Sequence, residues 1–379
     1  MAGILEYLDW RGDVPFTVDP FGEVDALLLA ELGYVPFEGV VPERHAVRIG
    51  LAEAQARFRA DAVGDEDRMY SFTRDCLLLE KLAAAPRFRG TYLTGYRSII
   101  DPAATLQFSA LTVLLPDGTT FVSFRGTDGT VTGWKEDLSF AVNARTAAQA
   151  LAVSYLDDFF TSHPRPLRLG GHSKGGNLAM YAAAFCRPLV QASITEVYAF
   201  DAPGFREELV AMPSYRAMTG RIRSYVPGSS VVGMLLETGV APTIIRSDAA
   251  GLQQHVAYSW QIERNRLVRE NALSKSSGFV DRTVDGWLAD LDDEERTHFI
   301  EALGSILGAP EKETLRDISR SRHTAYPAML KAAATLPPEQ RRAVLDAVYK
   351  IVRSGKDAII GAEKPSVPPP LPAGTEDPA

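Results

Sequence analysis

The chain has 379 residues, 46% of them hydrophobic and 23% charged, with a formal net charge of −8. That much apolar material excludes a disordered chain and permits a sizeable core, in one long α/β unit or about two to three domains. The acidic excess supplies no overall field for phosphates, so a nucleic-acid partner is not expected.

The segment from Met1 to Pro15 carries Glu6, Asp9, Arg11 and Asp13 and lacks the basic-then-apolar order of a secretory signal. No run of ~18 apolar residues occurs, so no spanning helix is expected and the cytoplasm is the expected compartment. Cys76 and Cys186 stand far apart, with neither disulfide nor metal spacing, and neither metal nor cofactor is expected.

In chain order, residues 26–32 read as a short helix that Gly33 can end. Residues 67–87 read as a second helix, with Phe72, Cys76, Leu77, Leu79 and Leu82 apolar. Then the pattern turns to strands, at 107–115 and 119–124, around the hairpin turn Pro116-Asp117-Gly118. Residues 146–162 follow as an amphipathic helix, 167–170 as a strand entering a glycine-rich turn, and 176–185 as a small-residue helix suited to close packing on a sheet. Further short strands are expected at 196–200, 222–226, 243–246 and 256–264. Strands alternating with helices predict a mostly parallel sheet covered by helices on both faces. Beyond about residue 275 the strand signal fades. Segments 281–288, 294–307 and 339–353 read as amphipathic helices, and the Pro-rich end reads as a disordered tail.

The strongest chemical signal is Gly171-His172-Ser173-Lys174-Gly175-Gly176, a G-x-S-x-G string between a strand and a helix. A sharp turn there strains the serine backbone and exposes its hydroxyl. Glycines two residues to either side remove side chains that would collide. The N–H of Lys174 then points beside the hydroxyl, where it can hold an oxyanion. A second donor belongs on the turn after an earlier strand, and Phe124-Arg125-Gly126-Thr127 offers Thr127, through its N–H and hydroxyl.

A serine nucleophile needs a base. In the chain order Ser, acid, His, only His255, His298 and His323 follow Ser173. His298 and His323 suit a solvated helix face, whereas His255 lies in a short loop between candidate strands and is the expected base. The acid then lies between residues 173 and 255. Asp201 ends the apolar run Val197-Tyr198-Ala199-Phe200, at the strand edge that shares a rim with the elbow. Glu237 and Asp248 stay open beside it.

These residues resemble class 3 lipases in Phe124-Arg125-Gly126-Thr127, Trp134, Asp137-Leu138 and Gly171-His172-Ser173 with Gly175-Gly176. One branch is closer. Gly171 to Ala179, Phe200-Asp201-Ala202-Pro203-Gly204-Phe205, Ser229 to Leu235 and His255 with Ser259-Trp260-Gln261 are similar to the Mbeg-like family of bacterial α/β-hydrolases, as is Leu32 to Gly39. The resemblance spans roughly residues 20–270. It implies an α/β-hydrolase fold with Ser173 as nucleophile, His255 as base, and Thr127 and Lys174 at the oxyanion hole. Class 3 lipases place their acid in a block similar to Pro227-Gly228-Ser229-Ser230-Val231-Val232, and here that position holds a serine, Ser230. The acid must then come from elsewhere, such as Asp201. Lys174 is a second departure, since those lipases carry an apolar residue there. Its side chain is expected to place a cation near the site, where it favours an anionic substrate or pairs with a carboxylate such as Asp201 or Glu237, or else to stand in solvent at the helix top.

The expected organisation is therefore a lipase-like α/β-hydrolase domain over 1–270 with an N-terminal helical segment, a helical extension over 271–360 and a disordered tail over 361–379. The expected reaction is hydrolysis of a lipid or small acyl ester. Thioesterase, peptidase or acyltransferase chemistry on the same triad and a non-catalytic scaffold are the alternatives. The apolar stretch 231–236 can line an acyl pocket or lid, or simply pack in the core, and peripheral membrane contact goes with the first of these. Oligomeric state is not readable.

Overall fold

The computed structural model describes residues 2–273 except 65–70, 128–135, 137–144, 163–164 and 231. Beyond 273 it describes the segment 322–336 and positions 302, 305–306, 309–310 and 341. The expected helices at 281–288, 294–307 and 339–353 and the tail lie almost wholly outside the described residues.

The eight strands of the main sheet follow one another in space as in sequence. They are β1 (Ile49–Gly50), β2 (Tyr92–Asp101), β3 (Leu106–Leu114), β4 (Thr120–Phe124), β5 (Leu167–His172), β6 (Ile194–Phe200), β7 (Ile222–Pro227) and β8 (Thr243–Ile245). The pairings from β1 to β4 are antiparallel and those from β4 to β8 parallel. The hairpin at Pro116-Asp117-Gly118 forms as expected, with Gly118 at φ 85° and its N–H on the Leu115 carbonyl. Strand β2 carried no clear sequence signal, because its period breaks at an irregularity between Thr94 and Arg97.

Sequential parallel strands with right-handed crossovers place their connecting helices on one face of a sheet. Helices α5 (Ala147–Ser162) and α6 (Lys174–Phe185) occupy that face, and Tyr155, Leu156, Phe159, Leu178 and Met180 pack on Val122, Leu169 and Val197. The opposite face would stay bare without the N-terminal segment. Helices α1 (Ile4–Arg11), α2 (Glu23–Leu32), α3 (Leu51–Arg57) and α4 (Phe72–Ala84) cover it, with Leu27, Leu28 and Leu79 against Leu111, Val113 and Phe121. Helix α2 is buried on every side from Val24 to Leu32, with an apolar run at 26–30 and 32 interrupted only by Glu31, and with Asp25 and Glu31 buried among these residues. The ion pair of Arg87 with Asp25, at 2.7 Å and almost fully buried, ties the turn after α4 to α2.

One expectation fails. Residues 256–264 alternate like a strand, but Gly251–His255 and Ala257–Ser259 are 3-10 turns. Extended backbone returns at Trp260, which bridges to Ser247, and Ile262–Glu263 pairs with Arg266–Leu267. The Trp260 indole N–H on the Gln254 carbonyl (2.7 Å) and the Ser259 N–H on the Val256 carbonyl (2.9 Å) curl the segment. Past residue 273, the described helix is Arg322–Ala333.

Candidate active site

The register of the parallel strands brings the candidate residues to one rim. His172 pairs with Phe200, and Phe200 with Tyr225, so Ser173 and Asp201 each begin the turn just past a strand end. The ladder continues one residue further in each case. The Ser173 N–H donates to the Phe200 carbonyl (2.8 Å) and the Asp201 N–H to the Tyr225 carbonyl (2.7 Å). This is the carboxyl edge where α/β sheets build their sites.

Ser173 has φ 58° and ψ −132°, a strained geometry for a residue with a side chain, of order 1–3 kcal/mol. Close packing holds it there. A side chain on Gly175 would overlap the Phe124 carbonyl, and one on Gly171 would meet that carbonyl and the Gly175 backbone. Helix α6 therefore starts hard against the ends of β4 and β5. Asp201 is also left-handed, at φ 44°.

The carboxylate that contacts His255 is Asp201. His255 Nδ1 lies 2.6 Å from Asp201 Oδ2, with Asp201 fully buried and the His255 side chain 28% exposed. A carboxylate only accepts, so Nδ1 carries the proton and Nε2 keeps a lone pair. The other oxygen, Oδ1, accepts from the Ser230 hydroxyl and from the Gly233 N–H (3.1 Å). Gly233 permits this approach, because any side chain there would strike Oδ1. The serine at the position of the lipase acid thus hydrogen-bonds the carboxylate one strand earlier. Gly233 likewise supports that carboxylate, and the Leu235 carbonyl accepts from the Gly204 N–H (2.8 Å) in the turn after Asp201. Glu237 is exposed and pairs its backbone with Phe205, and the Asp248 carboxylate binds Gln261.

Sequence reasoning missed the residues that fix these loops. Asn177 on α6 donates to the carbonyls of Pro203 (3.1 Å) and Gly204 (2.9 Å), pinning the turn after Asp201. Gln254 accepts from Ser229 N–H (2.7 Å) and donates to the Ala249 carbonyl (3.0 Å), which sets the turn before His255. The His172 ring turns away from Ser173 and beneath His255, with ring centroids 4.5 Å apart. Burial holds the His172 imidazole well below its ordinary pKa, and the charge of His255 adds to this. The chain pattern held no signal for these long-range partners.

Thr127 is half-buried at the end of the β4 turn. That turn lies beside the elbow, since a Cβ on Gly126 would sit 3.2 Å from Ser173 Cβ. Lys174 is the first residue of α6, so its N–H lies at the positive end of the helix dipole next to Ser173. Its side chain does pair with a carboxylate, but the partner is Glu136 and neither Asp201 nor Glu237, and it stands neither in solvent nor as an exposed cation at the site. It is buried, and Nζ donates to Glu136 Oε2 (2.9 Å) and to the Gln107 carbonyl (2.8 Å). Glu136 also accepts from the N–H groups of Gln107 (2.9 Å) and Ala148 (3.1 Å). The cation locks α6 to β3 and α5 and gives the site no exposed charge. Trp134 and Asp137 lie outside the described residues, as does His298, and His323 is exposed on the Arg322–Ala333 helix.

Among the described residues, no group of three or more His, Cys, Asp or Glu could hold a metal ion, and no helix is long and apolar enough to cross a membrane.

A mixed sheet with helices on both faces, a strained serine between strand and helix, and an Asp–His pair on the same rim define an α/β-hydrolase-like fold. Residues 82–304, more than half of the chain, match the Mbeg1-like family model, and the chain belongs to that family. No curated protein matches it significantly. Among solved structures, a Rhizomucor miehei lipase propeptide complex is similar at 16% identity and a TM-score of 0.31. The match covers 44% of this chain and 59% of that one.

Proposed function

We propose that the protein is a serine hydrolase that cleaves carboxylic esters of lipids or small acyl compounds. The observation that carries this reading is the 2.6 Å bond from His255 Nδ1 to buried Asp201, on the rim that bears the strained Ser173. In this reading Ser173 Oγ attacks the ester carbonyl, forming a C–O bond as its proton passes to His255 Nε2. Asp201 holds the ring in the required tautomer and stabilises the imidazolium. The N–H groups of Thr127 and Lys174 hold the oxyanion, with each such donor contributing ~10²–10³ in rate. Collapse expels the alcohol, which takes the proton from His255. Water then attacks the acyl-enzyme with His255 as base, releasing the acid and restoring Ser173. No cofactor enters.

Thioesters and amides are open to the same sequence of steps, so the leaving group is the discriminating variable. A panel of ester, thioester and amide substrates with one acyl chain tests it. The wild type is expected to turn over the ester fastest, and Ser173→Ala to abolish turnover of all three. An amide preference would displace the ester reading. Unchanged turnover by Ser173→Ala would overturn the nucleophile.

A further inference from the structure

We infer that His172 is a positioning residue for the base: its ring Nε2–H holds the main chain of His255, and Tyr34 fixes the tautomer that lets it do so. The inference rests on the hydrolase reading above and adds to it a residue outside the triad.

His172 Nε2 lies 2.7 Å from the His255 carbonyl oxygen. A carbonyl only accepts, so Nε2 carries the proton and Nδ1 must accept. The groups facing Nδ1 are the Tyr34 hydroxyl at 3.3 Å and Glu31 Oε1 at 3.5 Å. Tyr34 also lies 3.4 Å from the His172 carbonyl, and its hydroxyl sits so close to Gly126 that a Cβ there would overlap it. One phenol thus touches the elbow and the turn that leads to Thr127.

The need for such a clamp follows from how His255 is held. The Ser173 and Asp201 backbones continue sheet ladders, but His255 sits in a 3-10 turn outside the sheet. Its ring is tethered at Nδ1 to Asp201, and its main chain is tethered to His172. His172 itself is fixed, paired with Phe200 in the ladder and buried, with Trp260 edge-on at 5.9 Å. Two tethers at opposite ends of one residue set both the place and the direction of the imidazole.

The clamp also has to be neutral. His255 becomes an imidazolium during each proton transfer, and a second imidazolium with its ring 4.5 Å away would oppose that step. Burial suppresses the charge on His172. Glu31 faces it from α2 and is itself held well above the ordinary carboxyl range by burial, with Asp75 of α4 adding to the effect. It therefore does not draw a proton onto the ring. Beyond Tyr34, Glu31 and His255, the charged groups nearby are Arg125, which faces Tyr34, and Asp75 with Tyr258, behind Glu31.

The test compares His172→Gln, whose amide keeps a donor near the Nε2 position, with His172→Leu, which removes it. The rate of covalent labelling by a fluorophosphonate is expected to fall ~10–100-fold in H172L, the scale of an ångström-sized misplacement, and to recover largely in H172Q. In parallel, nitrogen NMR of ¹⁵N-histidine-labelled wild type is expected to show His172 as the neutral Nε2–H tautomer at every pH at which the enzyme takes the label. Equal labelling by H172L and H172Q, or a His172 ring that is protonated on Nδ1 or titrates within that range, overturns the clamp. A wild type that takes no label overturns the hydrolase reading itself and the role given to His172, whatever the NMR shows, so the two failures are distinguishable.

Discussion

Asp201 is the buried anion on which the site turns, and its two oxygens divide the work. Oδ2 accepts a hydrogen bond from His255 Nδ1–H, and Oδ1 accepts from the Ser230 hydroxyl and the Gly233 N–H. Asp201→Asn keeps the shape but presents an amide that favours the wrong histidine tautomer, and kcat is expected to drop by ~10⁴ in steady-state kinetics. Ser230→Ala leaves Asp201 one donor short. A hydrogen bond to a charged group contributes about 1.5–3 kcal/mol, so a loss of ~10–100-fold in kcat/KM is expected, with the fold retained by circular dichroism. Wild-type kinetics in S230A would show that Gly233 alone suffices. The chain alone pointed to Asp201 through its place at a strand edge but left Glu237 and Asp248 open, because a partner 54 residues away in sequence leaves no local pattern. The elbow was fully legible because strand, turn and helix are contiguous there.

At the scale of elements, the junction of β5 and α6 depends on a buried charge. Lys174 reads as a solvated residue at a helix start, since lysines are mostly exposed. The sequence hid its partner, for Glu136 is 38 residues away and each charge alone looks like surface. Removing one partner of a buried pair typically costs about 3–5 kcal/mol, so Lys174→Met is expected to destabilise the fold by that order in urea denaturation. The same variant is not expected to change the preference between anionic and neutral esters, which competition assays would check. The elements around the site were read with uneven success for a similar reason. The crossover helices and parallel strands carry strong local periodicity, whereas residues 256–259 run into an alternating stretch from Tyr258 onward and are themselves curled by the Ser259 turn bond to Val256 and the Trp260 indole bond to Gln254.

At the scale of the whole molecule, the N-terminal helices serve as the second layer of the sheet. They bring buried acids with them. Asp75 on α4 accepts from Tyr258 (2.7 Å), and burial pushes its carboxyl up to about 7. In the unfolded chain it ionises in the ordinary range near pH 4, so between these values the folded state holds the extra proton. Stability from this group is full at low pH and is lost as pH rises through about 7. Asp75→Asn removes the charge while its amide carbonyl still accepts the Tyr258 hydroxyl. The variant is expected to match the wild type in melting temperature near pH 4 and to exceed it near pH 8, by thermal unfolding at both. A gain confined to low pH would reverse the sign and refute the assignment. This layer reaches the elbow through Tyr34 and Glu31, which face the His172 ring.

We propose Ser173 as an activated nucleophile on this rim. Peptide mapping by mass spectrometry after exposure to a fluorophosphonate tests it directly. The adduct is predicted on Ser173 in the wild type, with no adduct in Ser173→Ala. Equal labelling of both proteins, or an adduct on another residue, would contradict it.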